Sequence, residues 1–315
     1  MGKDNKTRIA IAGIGGIGGY IGGKLAHFYA GDTAIEIIFI ARGETYKAIH
    51  KNGLELISDG MVYTCTPDLV SNDPSEIGAI DVLIICTKAF AVEEVLMRYS
   101  SCLSRNTTII TTQNTVNGKE VITPHLPMGA TLMEGSIYIA SNVVQPGKVQ
   151  HISGPAKFIF GSDGQHSAAG VAIAVLLNNA NIDTIYKPDI QSVLWKKFLF
   201  VSPVAIVTAL HQITFSEITQ SAAFRYLFVN LTTELVQLAN AKKIETDENT
   251  LVNNINLLDS FKGSVKSSFQ LDLGRNKPSE IGSLVKYVID EARLLQISLP
   301  HFENAMVQLI AKYNL

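Results

Sequence analysis

The stretch that decides the fold lies near the amino terminus: Arg8-Ile9-Ala10-Ile11-Ala12-Gly13-Ile14-Gly15-Gly16-Ile17-Gly18-Gly19-Tyr20. The apolar run of residues 9–12 reads as a buried strand. It enters Gly13, Gly15 and Gly18, spaced G-x-G-x-x-G, and continues into the helix-like Ile21-Gly-Gly-Lys-Leu-Ala-His-Phe28. In a dinucleotide fold each glycine has a separate physical task. Gly13 makes the strand-to-helix turn, and Gly15, with no Cβ, lets the backbone approach a pyrophosphate. Gly18 lets the helix pack on the strand, and the phosphates sit at the helix N-terminus. The alternative is a glycine-rich turn that only packs closely. With a strand before it and a helix after it, the motif predicts a dinucleotide site that includes Gly16 and Ile17.

The next strand bears on which dinucleotide is bound. Ile35-Glu-Ile-Ile-Phe-Ile40 is β-branched and apolar and ends at Ala41-Arg42-Gly43. An NAD site places an acid at the end of this strand to accept from the ribose 2′-OH. No acid stands there, and Glu36 is at the wrong end. Arg42 occupies the place, and a guanidinium suits a 2′-phosphate. The expected cofactor is therefore NADPH. The competing reading makes Arg42 an ordinary solvated loop residue.

Composition narrows the class. The chain has 315 residues, 47% of them hydrophobic and 17% charged, enough for two domains with full cores. A net charge of −2 offers no electrostatic case for nucleic acid or an anionic membrane. The three cysteines, Cys65, Cys86 and Cys102, show no C-x-x-C spacing and suit buried, reduced thiols in a cytoplasmic protein; no metal site is expected. No secretory signal is legible ahead of the first strand. The apolar run of residues 198–210 contains Pro203 and is too short to span a bilayer of roughly 30 Å. It reads as a buried core helix.

Residues 1–186 alternate short apolar strands with helical segments. Asp81-Val-Leu-Ile-Ile-Cys-Thr-Lys88 and Thr107-Thr-Ile-Ile-Thr-Thr-Gln-Asn114 are apolar runs ending in polar groups. Such runs typify parallel strands covered on both faces, with polar side chains at the carboxyl edge where ligands bind. Three shorter, glycine-punctuated strands follow, at 135–142, 148–152 and 157–161. From about residue 187 the period changes. Phe224, Leu227, Phe228, Leu231, Leu235 and Leu238 fall at helical spacing, as do Ile281 to Leu295 and Phe302 to Ile310. The expected fold is α/β: a Rossmann-type parallel-sheet domain over residues 1–186 that binds NADP, then an all-helical substrate and catalytic domain over 187–315.

Ketone reduction needs a hydride donor, a proton donor at the carbonyl oxygen and groups that hold the substrate carboxylate. Lys88, Gln113-Asn114, Lys196-Lys197, Ser267-Ser268 and Glu280 remain as polar candidates once packing is accounted for. A buried lysine can donate the proton if burial lowers its pKa toward neutrality.

In order along the chain, these residues resemble the ketopantoate reductase (2-dehydropantoate 2-reductase) family. Gly-Ile-Gly-Gly-Ile-Gly at 13–18 matches the family's start. Ala41-Arg-Gly-Glu with Asn52-Gly-Leu-Glu-Leu56, Thr87-Lys88-Ala89, Gln113-Asn-Thr-Val-Asn-Gly118 and Pro146-Gly-Lys-Val-Gln-His151 follow its pattern. So do Leu194-Trp-Lys-Lys197, Ser267-Ser-Phe-Gln-Leu-Asp272 and Pro278-Ser-Glu-Ile281. The resemblance implies a cytoplasmic, NADPH-dependent reduction of 2-dehydropantoate to pantoate, in pantothenate biosynthesis. It makes Lys197 the catalytic lysine at the ketone oxygen. Glu280 would bind a substrate hydroxyl and orient Lys197. Asn114 would hold the substrate and the nicotinamide ribose region, Lys88 would line the cofactor end, Ser268 would bind the substrate carboxylate and Arg42 would read the NADPH phosphate. The partner is a small-molecule 2-oxo acid, and the sequence is compatible with a homodimer.

Departures from the family pattern point at specificity. Val201 and Ala205 stand where the family has two asparagines, Gly282 and Val285 replace an Asp and an Asn, and Thr115 replaces a glycine. Valine and alanine cannot bond a hydroxyl, so the natural substrate is expected to differ from ketopantoate. Two rivals stay open: a non-catalytic NADP(H) sensor, and another two-domain dehydrogenase of opine or glycerol-phosphate type. The bland alternatives are an exposed helix lysine for Lys197, an early-turn acid favoured by the helix dipole for Glu280, and a structural role for His151.

Overall fold

A computed structural model describes residues 6–162, 164, 167–261 and 263–315. Contacts divide the chain into two units: Met1–Gln113 with Asn117–Ile190, and Asn114–Val116 with Gln191–Leu315.

The first unit begins β1 (Thr7–Ala12), α1 (Gly16–Phe28), β2 (Ile35–Ile40) and α2 (Gly43–Asn52). The hairpin β3 (Leu54–Ser58) and β4 (Met61–Cys65), then β5 (Leu69–Ser71) and α3 (Pro74–Ile77), come next. There follow β6 (Val82–Ile85), α4 (Val92–Arg98), β7 (Thr108–Thr111) and α5 (Gly118–Ile122). The unit closes with β8 (Thr131–Gln145), β9 (Lys148–Gly161), α6 (Ala168–Asn179) and β10 (Thr184–Tyr186). Strands β5-β2-β1-β6-β7-β8 run parallel, and β8 then pairs antiparallel with β9.

Alternation along β1 explains why both faces are covered. Ile9 and Ile11 join a core with Ile37, Phe39, Ile84 and the α1 residues Ile21 and Leu25. Ala10 and Ala12 point the other way, into a second core with Ile38, Leu83, Ile85 and the α4 residues Val92 and Leu96. Each buried Ile or Leu contributes roughly 1.5–3 kcal/mol, so this sheet is fixed from both sides. Because β1 lies between β2 and β6, the strand order reverses at its carboxyl end. Ligands bind at such a switch point in open α/β sheets.

The glycine-punctuated region differs from the sequence expectation. Instead of three short strands, β8 and β9 are 15 and 14 residues long. Gly147 (φ +77°) stands in the turn between them and Gly161 ends β9, while other glycines mark irregularities inside the strands. Gly154 (φ +90°) and Ala156 (φ +51°) interrupt β9, and the β8–β9 register shifts after Tyr138, Ala140 and Val143. A side chain at Gly135 would meet the Thr111 carbonyl at 2.5 Å and the Phe158 ring at 2.7 Å.

Among its described residues the second unit contains no strand. It comprises α7 (Ile190–His211), α8 (Phe215–Gln220), α9 (Ala222–Ala241), α10 (Thr250–Ser260) and α11 (Ser268–Leu273). A π-helical turn (Gly282–Lys286) then leads directly into α12 (Tyr287–Leu294), and α13 (Pro300–Tyr313) ends the chain. The apolar run of residues 198–210 is part of a longer helix than expected: α7 is 22 residues, long and apolar enough to cross a membrane by length and composition. Burial decides instead. Of its most apolar window 78% is inside the protein, with Trp195, Phe198, Leu199, Ile206 and Val207 in the core. The stripe of α9 (Phe228, Leu231, Leu235, Leu238) is buried as spaced, whereas Leu295 and Ile310 at the stripe edges are exposed.

Candidate functional site

In the first unit, the glycine loop is shaped by what surrounds it. Gly13 ends β1 at φ +93°, and a Cβ there would stand 2.7 Å from Thr87 Cγ2. A Cβ on Gly18 would collide with the Gly13 carbonyl oxygen, and one on Gly16 with the Ser141 carbonyl oxygen. Gly15 is different: nothing lies within 4 Å of where its Cβ would be. Three glycines therefore serve packing, and the fourth faces open space at the N-cap of α1. The first turn of α1 carries no acid, so its unpaired N–H groups and positive dipole end stay uncompensated. Ile17 packs against the core beneath. Beside Gly13, Thr87 Oγ1 is buried without a hydrogen-bond partner. This cradle fits a dinucleotide pyrophosphate.

The flanking positions fall at the carboxyl edge. Arg42 follows β2 as the N-cap residue of α2. Its guanidinium is exposed and pairs only loosely with Glu94, at 3.3 Å. Glu36, at the opposite end of β2, makes a bidentate pair with Arg8 at 2.9 Å to each oxygen, a structural use. Lys88 follows β6, half-buried, at the start of a 3₁₀ turn. Gln113 ties the two strand ends together, donating through Nε2 to the carbonyls of Ile85 and Thr87, both at 2.9 Å. His151 packs within the framework: Nδ1 meets Ser58 Oγ at 3.2 Å, and Nε2 meets the Ser153 and Gly154 carbonyls.

The helical unit carries Asn114, Lys197, Ser268 and Glu280. Lys197 is half-buried on α7, and burial drives its pKa down to about 8. The Glu280 carboxylate, 6% exposed, acts in the opposite sense and holds it up. The structure thus brings Lys197 and Glu280 into electrostatic contact. Asn114 Oδ1 is buried and accepts no hydrogen bond within the chain. Ser268 is exposed at the first position of α11, while its neighbour Ser267 caps that helix, accepting from the Gln270 N–H at 3.1 Å.

Two hydroxyls that the sequence reading passed over organise this unit. Thr208 Oγ1 bonds the Val204 carbonyl one turn earlier and lies 2.8 Å from Ser267 Oγ, so α7 is tied to the start of α11. Ser202 Oγ donates to the Leu284 carbonyl at 2.7 Å, tying α7 to the π-helical turn. Signals existed: Ser202 is a polar residue inside an apolar run, and Ser267-x-x-Gln270 is a capping-box spacing. Of the departures, Val201 is half-buried, Ala205 is 2% exposed, Val285 is fully buried, and Gly282 is exposed. Lys197, Val201, Ala205 and Thr208 run along one face of α7 at helical spacing.

The chain is similar to known proteins along nearly its whole length. It is 27% identical to a 2-dehydropantoate 2-reductase of Mesorhizobium japonicum, over 93% of this chain and 94% of the relative. Its fold matches the crystal structure of a PanE/ApbA family ketopantoate reductase from Ralstonia eutropha JMP134 with a TM-score of 0.88, at 21% identity, over 98% and 99% of the two chains. It also matches a D-mandelate dehydrogenase solved with NADH and anilino(oxo)acetate, with a TM-score of 0.85 at 20% identity, again over 98% and 99%. Family models for ketopantoate reductase PanE/ApbA and for its C-terminal domain match residues 9–165 and 189–313. With the glycine cradle in one unit and the Lys197–Glu280 pair in the other, the chain belongs to the ketopantoate reductase PanE/ApbA family of oxidoreductases.

Proposed function

We propose that this protein reduces a 2-oxo acid to the 2-hydroxy acid with NADPH, with residues 187–315 serving as the substrate and catalytic domain. The observation that carries the reading is the Lys197–Glu280 pair: a lysine held near pKa 8 is protonated at neutral pH yet acidic enough to give up that proton. Gly13, Gly15, Gly16, Ile17 and Gly18 would hold NADPH and Arg42 would take its 2′-phosphate; when bound, the cofactor would supply the hydride. Lys197 Nζ donates its proton to the ketone oxygen as negative charge develops there. Glu280 keeps Lys197 charged and aimed, and takes a substrate hydroxyl where one exists. The hydroxyl of Ser268 holds the substrate carboxylate, and Asn114 completes an open acceptor position through Oδ1. Lys88 lines the cofactor end. The free thiols take no part, since burial pushes Cys65 and Cys86 up to about 12.

Val201 and Ala205 favour a 2-oxo acid with a more apolar side chain than ketopantoate. A D-mandelate dehydrogenase of the same fold was solved with NADH and anilino(oxo)acetate, which is the reason to include an aryl 2-oxo acid in the test. The test is NADPH oxidation against a panel of 2-oxo acids that includes ketopantoate, phenylglyoxylate and branched aliphatic 2-oxo acids. Turnover of at least one supports the reading. Tight NADPH binding with no turnover favours the sensor instead.

A further inference from the structure

We infer that Ser202 is a positioning residue for the Lys197–Glu280 pair, acting through the π-helical turn that follows Glu280. The inference rests on the reading just given, in which those two side chains act on the substrate.

A chain of hydrogen bonds connects the two helices. Ser202 is fully buried on α7, five residues beyond Lys197. Its hydroxyl donates to the Leu284 carbonyl at 2.7 Å. Leu284 in turn donates its N–H to the Glu280 carbonyl at 2.9 Å, and Ser283 Oγ reaches the same carbonyl at 3.2 Å. Two bonds therefore join the helix of the lysine to the backbone of the glutamate.

The turn they pass through is unusual. Residues Gly282–Lys286 wind as a π-helix, with the Tyr287 N–H reaching back to the Gly282 carbonyl. A π-turn holds one more residue than an α-turn, so it rotates everything upstream by about 100° relative to the helix downstream. Downstream, Val288, Ile289 and Ala292 are locked in the core. The π-turn therefore decides which way Glu280 faces from that fixed base. Gly282 has nothing within 4 Å of its missing Cβ, so packing of the first π residue does not force the winding. The Ser202 hydroxyl supplies a fixed partner from outside the helix at the midpoint of the turn. Relaxation to regular α-helix would move the Leu284 carbonyl away from Ser202 and turn Glu280 from Lys197.

Two isosteric substitutions isolate the hydroxyl. Ser202→Thr keeps it, Ser202→Val replaces it with a methyl, and both add the same volume to the buried site. The readouts are kcat and KM for the best 2-oxo acid, the pH profile, NADPH binding and Tm. Ser202→Val is expected to lower kcat relative to Ser202→Thr by roughly tenfold, the scale of one buried hydrogen bond, with NADPH binding unchanged. Its basic limb should lie at lower pH, because Lys197 loses the charge that holds its pKa up. The decisive measurement is the double variant. On a Glu280→Gln background the Thr-to-Val difference in rate and in pH limb should vanish, since Ser202 acts only through Glu280. A difference that persists there, or equal activity of the two single variants, overturns the proposal while leaving the reductase reading intact. A Glu280→Gln enzyme with wild-type rate and pH profile overturns the proposal together with the role given to Glu280, while its turnover keeps the reductase reading. If neither Ser202 variant folds, Ser202→Ala against wild type, each also on the Glu280→Gln background, repeats the comparison without added volume.

Discussion

The carboxylate of Glu280 offsets the burial of the Lys197 ammonium: burial pulls the lysine down to about 8, and the glutamate charge resists that fall. A lysine that was only buried would sit lower still and hold its proton more weakly. One that was only paired would stay near its ordinary value and hold its proton too tightly. The two influences together place the group where a general acid works.

The pH dependence follows with a definite sign. Reduction needs protonated Lys197, so kcat/KM for the 2-oxo acid should fall as pH rises through about 8. Oxidation of the 2-hydroxy acid needs the neutral amine and should rise over the same range. Glu280→Gln removes the influence that holds the pKa up, so both limbs should move to lower pH. Lys197→Ala should reduce kcat by about 10²–10⁴-fold, the usual scale for loss of a general acid. Calorimetric NADPH binding to that variant should be unchanged. A basic limb that stays in place in Lys197→Ala would assign the titration to another group.

The glycine loop allows a contrast between fold and ligand. Gly15→Ala adds a methyl where nothing lies within 4 Å, so the apo protein should keep its Tm while dinucleotide affinity falls. Gly18→Ala drives a methyl onto the Gly13 carbonyl oxygen, so it should lower Tm before any ligand is added. Thermal melts with and without NADPH separate the two. Equal ligand-induced stabilisation of Gly15→Ala and wild type would move the pyrophosphate elsewhere.

Much of this was legible in the chain. Ile35–Ile40 is a strand with the bounds its β-branched run suggested, and the glycine spacing of residues 13–18 led to the strand-to-helix turn, with the helix starting already at Gly16. Period-2 and period-3.6 patterns survive because burial enforces them. What sequence could not show is long-range. The fusion of residues 131–145 and 148–161 into two long bulged strands depends on a β8–β9 register that no local pattern encodes. Ser202 and Thr208 look like incidental hydroxyls in an apolar helix until their partners, Leu284 and Ser267, are known to lie opposite. The departures at Val201, Ala205 and Val285 looked equivalent in sequence. Burial separates them, leaving Val201 the most accessible of the three.

Arg42 sets the expected cofactor preference. Its guanidinium is exposed, and its contact with Glu94 at 3.3 Å is a surface pair that a phosphate can displace. Arg42→Ala should weaken NADPH binding and leave NADH nearly unchanged, while Glu94→Ala should leave NADPH binding intact or tighten it. Titrating both nucleotides into both variants checks this. Equal losses for NADPH and NADH in Arg42→Ala would remove the residue from the phosphate site.

Specificity separates along α7. Val201 is half-buried one turn beyond Lys197, so Val201→Asn places an amide on the lysine's own face with surface still available. It should raise kcat/KM for ketopantoate, whose hydroxyl gains a partner, by about tenfold for one hydrogen bond. A branched aliphatic 2-oxo acid should gain nothing and lose some packing. Ala205 is 2% exposed, and its carbonyl already accepts from Thr208 at 3.1 Å. An asparagine there must fit into a filled core, so Ala205→Asn should lower Tm, an overpacking effect of about 1–3 kcal/mol, without restoring ketopantoate turnover. Steady-state kinetics across the acid panel, read beside thermal melts, distinguish the two positions. If wild type already prefers ketopantoate strongly, the apolar-substrate reading is wrong although the reductase reading stands. If Ala205→Asn melts normally and turns over ketopantoate, the pocket extends a full turn deeper along α7 than its burial indicates.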